Sequence, residues 1–209
     1  MSATAFRISA VLFDADGVIQ RTSSTWRANL LRLCNDPARA NQLLTELFAA
    51  ERFCFDGTQD FRLTLAEALA RWGRADALDE ALAVWTEIEP DPHILEVVAE
   101  LRRNEIRVAL ASNQQAIRAK FMSEELGYAA QFDHLFYSCL LGHAKPSTEY
   151  FEQALRRLAL PGGSVLFLDD REVNVAAARS VGLHAELAQI DHGAAGMRQL
   201  LSRYGLPID

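Results

Sequence analysis

The sequence predicts a three-layer α/β fold in which helices cover both faces of a Rossmann-like parallel sheet. It also predicts an all-helical insertion after the first strand. Short apolar runs alternate along the chain with segments of helical periodicity, a pattern typical of a parallel sheet that is buried on both faces. The alternation stops between residues 19 and 88, where only helical patterns are found.

Four apolar runs are too short for helices and are predicted to be buried strands, at residues 8–13, 106–111, 134–138 and 165–168. Three of them are rich in β-branched or aromatic residues and end in polar residues. A weaker fifth strand is predicted at residues 184–187. Helices are predicted between the strands, at residues 94–101, 116–126, 151–158 and 173–181.

The insertion holds three or four predicted helices, at residues 23–34, 37–53, 61–72 and 75–88. Asp36-Pro37 suits a helix cap followed by the first helical position. So many helical residues exceed what one crossover between parallel strands needs. We therefore expect an α/β core domain of residues 1–18 and 89–209, with residues 19–88 forming a helical cap subdomain.

Composition excludes several classes of function. The formal net charge is −7, and no run of Lys or Arg stands out, so nucleic acid is not an expected partner. The three cysteines form no CxxC motif and are expected to be reduced thiols. With no signal peptide or membrane-length apolar run in the sequence, we expect a cytoplasmic protein with no membrane partner. The sequence does not indicate an oligomeric state.

Polar residues follow the predicted strands. Asp14-Ala15-Asp16-Gly17 follows the first, Ser112-Asn113 the second and Asp169-Asp170 the fourth, while the loop after the third contains Lys145-Pro146. The carboxyl ends of parallel strands meet at one edge of a sheet, where ligands bind. Several ionised carboxylates at one edge need a cation, and an all-oxygen ligand set favours Mg²⁺. Lys145 and the Ser112 hydroxyl would then be free to hold a phosphate.

These four pieces, in this order, resemble the haloacid dehalogenase superfamily, and specifically its phosphatase branch with a small helical (C1-type) cap. Each motif alone is weak, since a DxDG motif also occurs in calcium loops, but their joint occurrence at strand ends is specific. The resemblance covers the chain apart from the insertion, where only the topology corresponds.

The resemblance implies that Asp14 is the nucleophile and that it becomes an aspartyl-phosphate. It implies that Asp16 is the general acid and base. The implied Mg²⁺ ligands are the side chains of Asp14 and Asp170 and the backbone carbonyl of Asp16.

The remaining implied site residues bind phosphate or support the metal ligands. Ser112, Asn113 and Lys145 would bind the phosphoryl oxygens. Asp169 and Asn174 are expected to lie behind the ligands, because many relatives have Gly and an acidic residue at these two positions.

The expected function is a magnesium-dependent phosphatase for a small phosphorylated metabolite, with a sugar phosphate as the leading candidate. An acid at Asp16 favours phosphate esters over the dehalogenase reaction. The alternatives are a phosphomutase using the same aspartyl-phosphate and a non-catalytic binding module on the same fold. A loop of the insertion is expected to touch the substrate, through Arg52, Phe53, Asp56 and Gly57.

The aspartate motifs also have a purely structural interpretation. Asp14 and Asp16 could cap a turn, and Asp169-Asp170 could cap the following helix. The three tryptophans, all in the insertion, are expected to be packing residues, although one could line the substrate pocket.

Overall fold

A computed structural model describes residues 7–208, and their secondary structure follows the predicted alternation. The strands are β1 (Ala10–Phe13), β2 (Gln20–Thr22), β3 (Ile88–Pro90), β4 (Arg107–Ser112), β5 (His134–Tyr137), β6 (Val165–Asp169) and β7 (His184–Leu187). The helices are α1 (Trp26–Arg32), α2 (Ala40–Arg52), α3 (Phe61–Arg71), α4 (Leu78–Trp85), α5 (Pro92–Arg103), α6 (Ala116–Glu124), α7 (Tyr128–Gln131), α8 (Ser138–Leu141), α9 (Thr148–Leu158), α10 (Glu172–Ser180) and α11 (Gly193–Ser202).

The described residues form a five-stranded parallel sheet in the order β5-β4-β1-β6-β7, which confirms the predicted fold class. Strand β1 lies at the centre, and all four of its residues are fully buried. Val11 and Phe13 pack into the cluster that includes α5 and α11, whereas Ala10 and Leu12 pack into the cluster that includes α9 and α10. Because alternate side chains face opposite sides of the sheet, both faces of β1 are apolar. Each such buried aliphatic or aromatic side chain contributes about 1.5–3 kcal/mol.

The expectation that the inserted segment lacks strands is wrong at its two ends. Strands β2 and β3 pair antiparallel there, with Gln20 opposite Pro90 and Thr22 opposite Ile88. Each strand has three residues and no apolar run, and its partner lies far away in the sequence. Local hydrophobic patterns therefore cannot reveal this ribbon.

Helices α1 to α4 fill the rest of the segment and pack around their own apolar cluster, which includes Leu30, Leu47, Leu65 and Trp85. Ile117, in the first turn of α6, packs against this cluster and brings α6 into contact with the segment. The division of the chain into residues 1–18 with 89–209 and residues 19–88 stays a prediction.

The hydrophobic pattern of the sequence does not predict α11. The first turn of this helix contains two glycines, and glycine has a low helix propensity. None of the helices in the described part of the chain is long and apolar enough to cross a membrane.

Candidate active site

The site residues meet because β4, β1 and β6 are adjacent and parallel. Asp14 directly follows β1, Ser112 ends β4 and Asp169 ends β6. The Asp14 backbone N–H donates to the Leu168 carbonyl at 2.8 Å, which continues the sheet pairing to the point where the Asp-x-Asp-Gly motif begins. The carboxyl ends of these strands therefore form one polar floor.

A pocket of about 220 Å³ opens above this floor. Of the predicted site residues, those that line it are Asp14, Asp16, Ser112, Asn113, Lys145, Asp170 and Asn174. Asp169 is fully buried beneath them and does not line the pocket. Residues far apart in the sequence are thus brought together as the strand-end pattern predicts.

Lys145 joins two carboxylates at the floor. Its Nζ lies 3.0 Å from Asp14 Oδ1 and 2.6 Å from Asp169 Oδ2, and its side chain is almost wholly buried. Asn113 holds the backbone of the same residue, accepting from the Lys145 N–H and donating to its carbonyl, both at 2.8 Å. A buried ammonium needs such partners, since an unpaired buried charge is strongly destabilising.

Asp169 is the structural anchor of this arrangement. Besides Lys145, it accepts hydrogen bonds from the Asn174 side-chain amide, at 2.9 and 3.0 Å, and from the Arg171 backbone N–H at 2.9 Å. These donors compensate the burial of its charge. They also explain how Asp169 can hold Lys145 and Asn174 from beneath the pocket that those two residues line.

The carboxylates fit a hard cation. Within residues 7–208, Asp14, Asp169 and Asp170 each offer an oxygen, and these oxygens lie within 4.8 Å of one another. Burial raises the pKa of Asp14 to about 7; Lys145 opposes this rise, and the charges of Asp169 and Asp16 add to it. Burial and the neighbouring Asp169 also raise the pKa of Asp170. Asp14 and Asp170, two neighbouring carboxyl groups whose pKa values are raised, form a setting in which a bound Mg²⁺ is favourable.

A glycine is required at position 17 because the side chain of Asp170 lies close to its backbone. Its φ is +82°, and a Cβ on it would lie 2.6 Å from Asp170 Oδ2. The Asp-x-Asp-Gly turn therefore allows the loop after β1 to lie against Asp170.

Asp16 faces a different set of partners from Asp14. Its carboxylate accepts from Arg118 Nη2 at 2.6 Å, Gln20 Nε2 at 3.0 Å and Gln114 Nε2 at 2.9 Å. Burial alone would raise the pKa of Asp16, but the Arg118 charge and these hydrogen bonds outweigh it and hold the pKa below its ordinary value. The two aspartates of the motif are therefore electrostatically distinct.

Sequence reasoning missed Phe55, Arg118 and Arg171 as site residues. Phe55 and Arg171 line the pocket, and Arg118 pairs with Asp16. Phe55 belongs to the loop predicted to touch substrate, but the four residues named from that loop (Arg52, Phe53, Asp56 and Gly57) are exposed and do not line the pocket. From this stretch it is Phe55, which the prediction did not name, that lines the pocket. Arg171 could have been noticed because it directly follows Asp170.

The sequence matches the model of a known protein family. The family model described as haloacid dehalogenase-like hydrolase matches residues 8–182. Over 96 residues the chain is 29% identical to a sesquiterpene phosphatase, astK, of Aspergillus oryzae, and this match covers 46% of the chain and 49% of that protein. Over 117 residues it is 27% identical to acyl-CoA dehydrogenase family member 10 of Mus musculus, covering 56% of the chain and 11% of that protein. The chain thus spans about half and about a tenth of these two relatives.

A solved structure from Bacteroides thetaiotaomicron has a similar fold. It is the HAD family enzyme bt-2542 in complex with magnesium and inorganic phosphate. The TM-score is 0.71 at 20% sequence identity, over 86% of this chain and 93% of that one.

Proposed function

The chain belongs to the haloacid dehalogenase-like hydrolase family, and we propose that it is a magnesium-dependent phosphatase that hydrolyses a small phosphorylated metabolite through a phosphoryl group on Asp14. The observation that most supports this is the pairing of buried Asp14 with Lys145 beside Asp170, in a pocket that Asp16 also lines. Two comparisons are consistent with this proposal. One relative, matched over about half of its length, is named a phosphatase, and a protein of similar fold has been solved in complex with magnesium and inorganic phosphate.

The proposed ion ligands are the side chains of Asp14 and Asp170 and the backbone carbonyl of Asp16. When bound, Mg²⁺ neutralises charge on the phosphoryl oxygens beside Asp14. Asp169 binds Lys145, and Asn174 binds Asp169, so these two residues orient the groups that meet the substrate. Asn174 lines the pocket, and its Oδ1 is buried without a hydrogen-bond partner among the described residues.

In the first proposed step, an Asp14 carboxylate oxygen attacks phosphorus and the bond to the leaving oxygen breaks. Lys145, the Ser112 hydroxyl and the second amide N–H of Asn113 hold the phosphoryl oxygens. Asp16, in its protonated form, gives its proton to the leaving oxygen and is left ionised. The ester is thereby converted into an alcohol and a phosphoryl group on Asp14.

In the second step, Asp16 accepts a proton from a water molecule that attacks the same phosphorus. The ionised state favoured by Arg118 suits this base role. The bond between Asp14 and phosphorus breaks, its electron pair returns to the carboxylate, and inorganic phosphate is released.

The pocket restricts the substrate. Its volume of about 220 Å³ is below the roughly 300–1,000 Å³ of sites that enclose drug-sized ligands. It holds a phosphoryl group and a short part of the leaving group, with Phe55 as an apolar wall. A sugar phosphate is the leading candidate, and a terpenyl phosphate, which would extend past Phe55, is the second substrate to test.

The test is a screen of phosphate esters that includes both substrates, with release of inorganic phosphate measured in Mg²⁺ and in a chelator. We expect release that requires Mg²⁺. No release across the screen would support a non-catalytic module, and isomerisation of a sugar phosphate without phosphate release would support a phosphomutase.

A further inference from the structure

The carboxylate of Asp16 is held by buried side chains from three separate parts of the fold. Gln20 comes from β2, Gln114 follows β4, and Arg118 lies in α6. Gln20 and Arg118 both donate to Oδ1, and Gln114 donates to Oδ2. The donors are 0%, 1% and 7% exposed, so little water competes with them. The orientation of Asp16 is therefore fixed on both of its oxygens.

Arg118 is the strongest of these donors and has a fixed position. The Gln115 side chain caps α6 by accepting from the backbone N–H groups of Ile117 and Arg118, at 2.7 and 3.1 Å. Ile117 then packs against the cluster of the inserted helices. A charge-assisted hydrogen bond of 2.6 Å from a buried, anchored guanidinium is both strong and directional.

This network leaves room for one further partner. A carboxylate has about four acceptor positions, and donors among the described residues occupy two on Oδ1 and one on Oδ2. The Asp16 side chain is still 37% exposed and lines the pocket. The remaining position on Oδ2 is thus the one available to a group inside the pocket.

We propose that Arg118 is a positioning residue that orients Asp16 toward the water that releases phosphate from Asp14. This inference rests on the proposed function. The water oxygen forms a bond to phosphorus, its proton passes to the free position on Asp16, and the bond from phosphorus to Asp14 breaks. Without Arg118, the Asp16 carboxylate keeps only amide donors and can rotate away from the water.

The experiment follows single turnovers of 4-nitrophenyl phosphate in Mg²⁺ for the wild-type protein and for Arg118→Met. Nitrophenolate leaves without a proton, so transfer to Asp14 needs no help from Asp16. We expect Arg118→Met to release the first equivalent of nitrophenolate at a rate within about 3-fold of wild type. Because general base catalysis supplies about 10²–10⁴-fold, we expect the steady-state rate to fall at least about 30-fold. Phosphorylated protein should accumulate and be visible in the intact mass.

Three further variants separate positioning from folding. Arg118→Lys keeps the charge but loses the guanidinium fork, and we expect a steady-state rate between those of wild type and Arg118→Met. Gln114→Ala removes the Oδ2 donor and also the hydrogen bond from Gln114 to the Ser112 hydroxyl. We expect it to lower the steady-state rate more than the rate of the first turnover, by a smaller factor than Arg118→Met, which provides a test if Arg118→Met does not fold. Arg103→Met removes an exposed arginine paired with Glu96 and should behave as wild type.

This inference would be overturned if, in folded Arg118→Met protein, the rate of the first turnover and the steady-state rate fell by the same factor, or if neither rate fell. If Arg118→Met does not fold, the same result in both Arg118→Lys and Gln114→Ala would overturn it. A wild-type protein that releases no nitrophenolate and no phosphate contradicts the proposed function instead.

Discussion

Lys145 is the residue on which the charge balance of the site depends. One ammonium lies between the carboxylates of Asp14 and Asp169, and Asp170 adds a third carboxylate nearby. Among the described residues, the negative charges of this cluster therefore outnumber its positive charge. The proposed divalent cation and the proposed phosphoryl-binding role of Lys145 both follow from this charge imbalance.

Gly17 provides a second prediction about a single residue. Gly17→Ala would place a methyl group against Asp170 Oδ2 and would strain a backbone with φ of +82°. We expect phosphatase activity to fall on the order of 100-fold, because small displacements of reacting groups have effects of this size. The matched control is Gly73→Ala, where φ is +66° and nothing lies within 4 Å of the added Cβ. Equal losses of kcat in the two variants would contradict the proposed role of Asp170.

Glu51, in the last turn of α2, gives a prediction about pH. Burial raises its pKa from 4.5 to about 7, although the charge of Arg118 opposes the rise. A carboxyl with a raised folded-state pKa binds its proton more tightly when folded, so its contribution is fully present below about pH 4.5 and is lost as pH rises toward 7. Glu51→Gln keeps the neutral form at all pH values. We expect this variant to be about 1–3 kcal/mol more stable than wild type at pH 8, and nearly equal at pH 4.5, in urea unfolding. A stability difference that does not change with pH would contradict this account.

Among the larger elements, the loop after α2 connects the inserted helices to the pocket. Phe55 lines the pocket, and two residues later Gly57 lies directly against the backbone carbonyl of Cys139, at the start of α8. This contact fixes how the loop lies over the site. The inserted segment therefore influences the pocket through this backbone contact.

Gly57→Ala tests this contact. The added methyl would overlap the Cys139 carbonyl oxygen and push the loop away from the core. We expect KM for the best substrate of the screen to rise on the order of 10-fold, the size of effect typical of a lost apolar contact in a pocket, with a smaller change in kcat. Gly73→Ala again serves as the control, because it lies in the same segment with a similar φ and no neighbour. An unchanged KM would show that Phe55 does not depend on this contact.

How far the sequence predicts these elements depends on the range of the interactions that form them. The buried strands and the polar residues at their ends were predictable, because an apolar run such as Val165 to Leu168 and its following aspartates are local signals. The β2–β3 ribbon and the pairing of Arg118 with Asp16 were not, because their partners lie far apart in the sequence. Phe55 has no local signal at all, since an aromatic residue in a loop between helices equally indicates packing.

For the molecule as a whole, the sheet forms the rigid part, with both faces of β1 buried. The site lies at the carboxyl ends of the strands, and its carboxylates come from the ends of two different strands, β1 and β6. An ion that binds them links distant parts of the chain. Ion binding should therefore stabilise the fold and not only the pocket.

Thermal unfolding in Mg²⁺ tests this link. At about 100 times its dissociation constant a bound ligand contributes about 2.7 kcal/mol, which for a chain of this size corresponds to a rise in Tm of about 5–10 °C. We expect this rise in the wild-type protein and its loss in Asp170→Asn. A Tm that is insensitive to Mg²⁺ in the wild-type protein would contradict the proposed ion site.

The most direct test of the central proposal compares phosphate release by the wild-type protein and by Asp14→Asn, in Mg²⁺ and with the best substrate of the screen. An amide is a poor nucleophile, so the account predicts that phosphate release falls to the background of the buffer while the folded state is retained. Substantial phosphate release by a folded Asp14→Asn protein would contradict the assignment of Asp14 as the residue that receives the phosphoryl group.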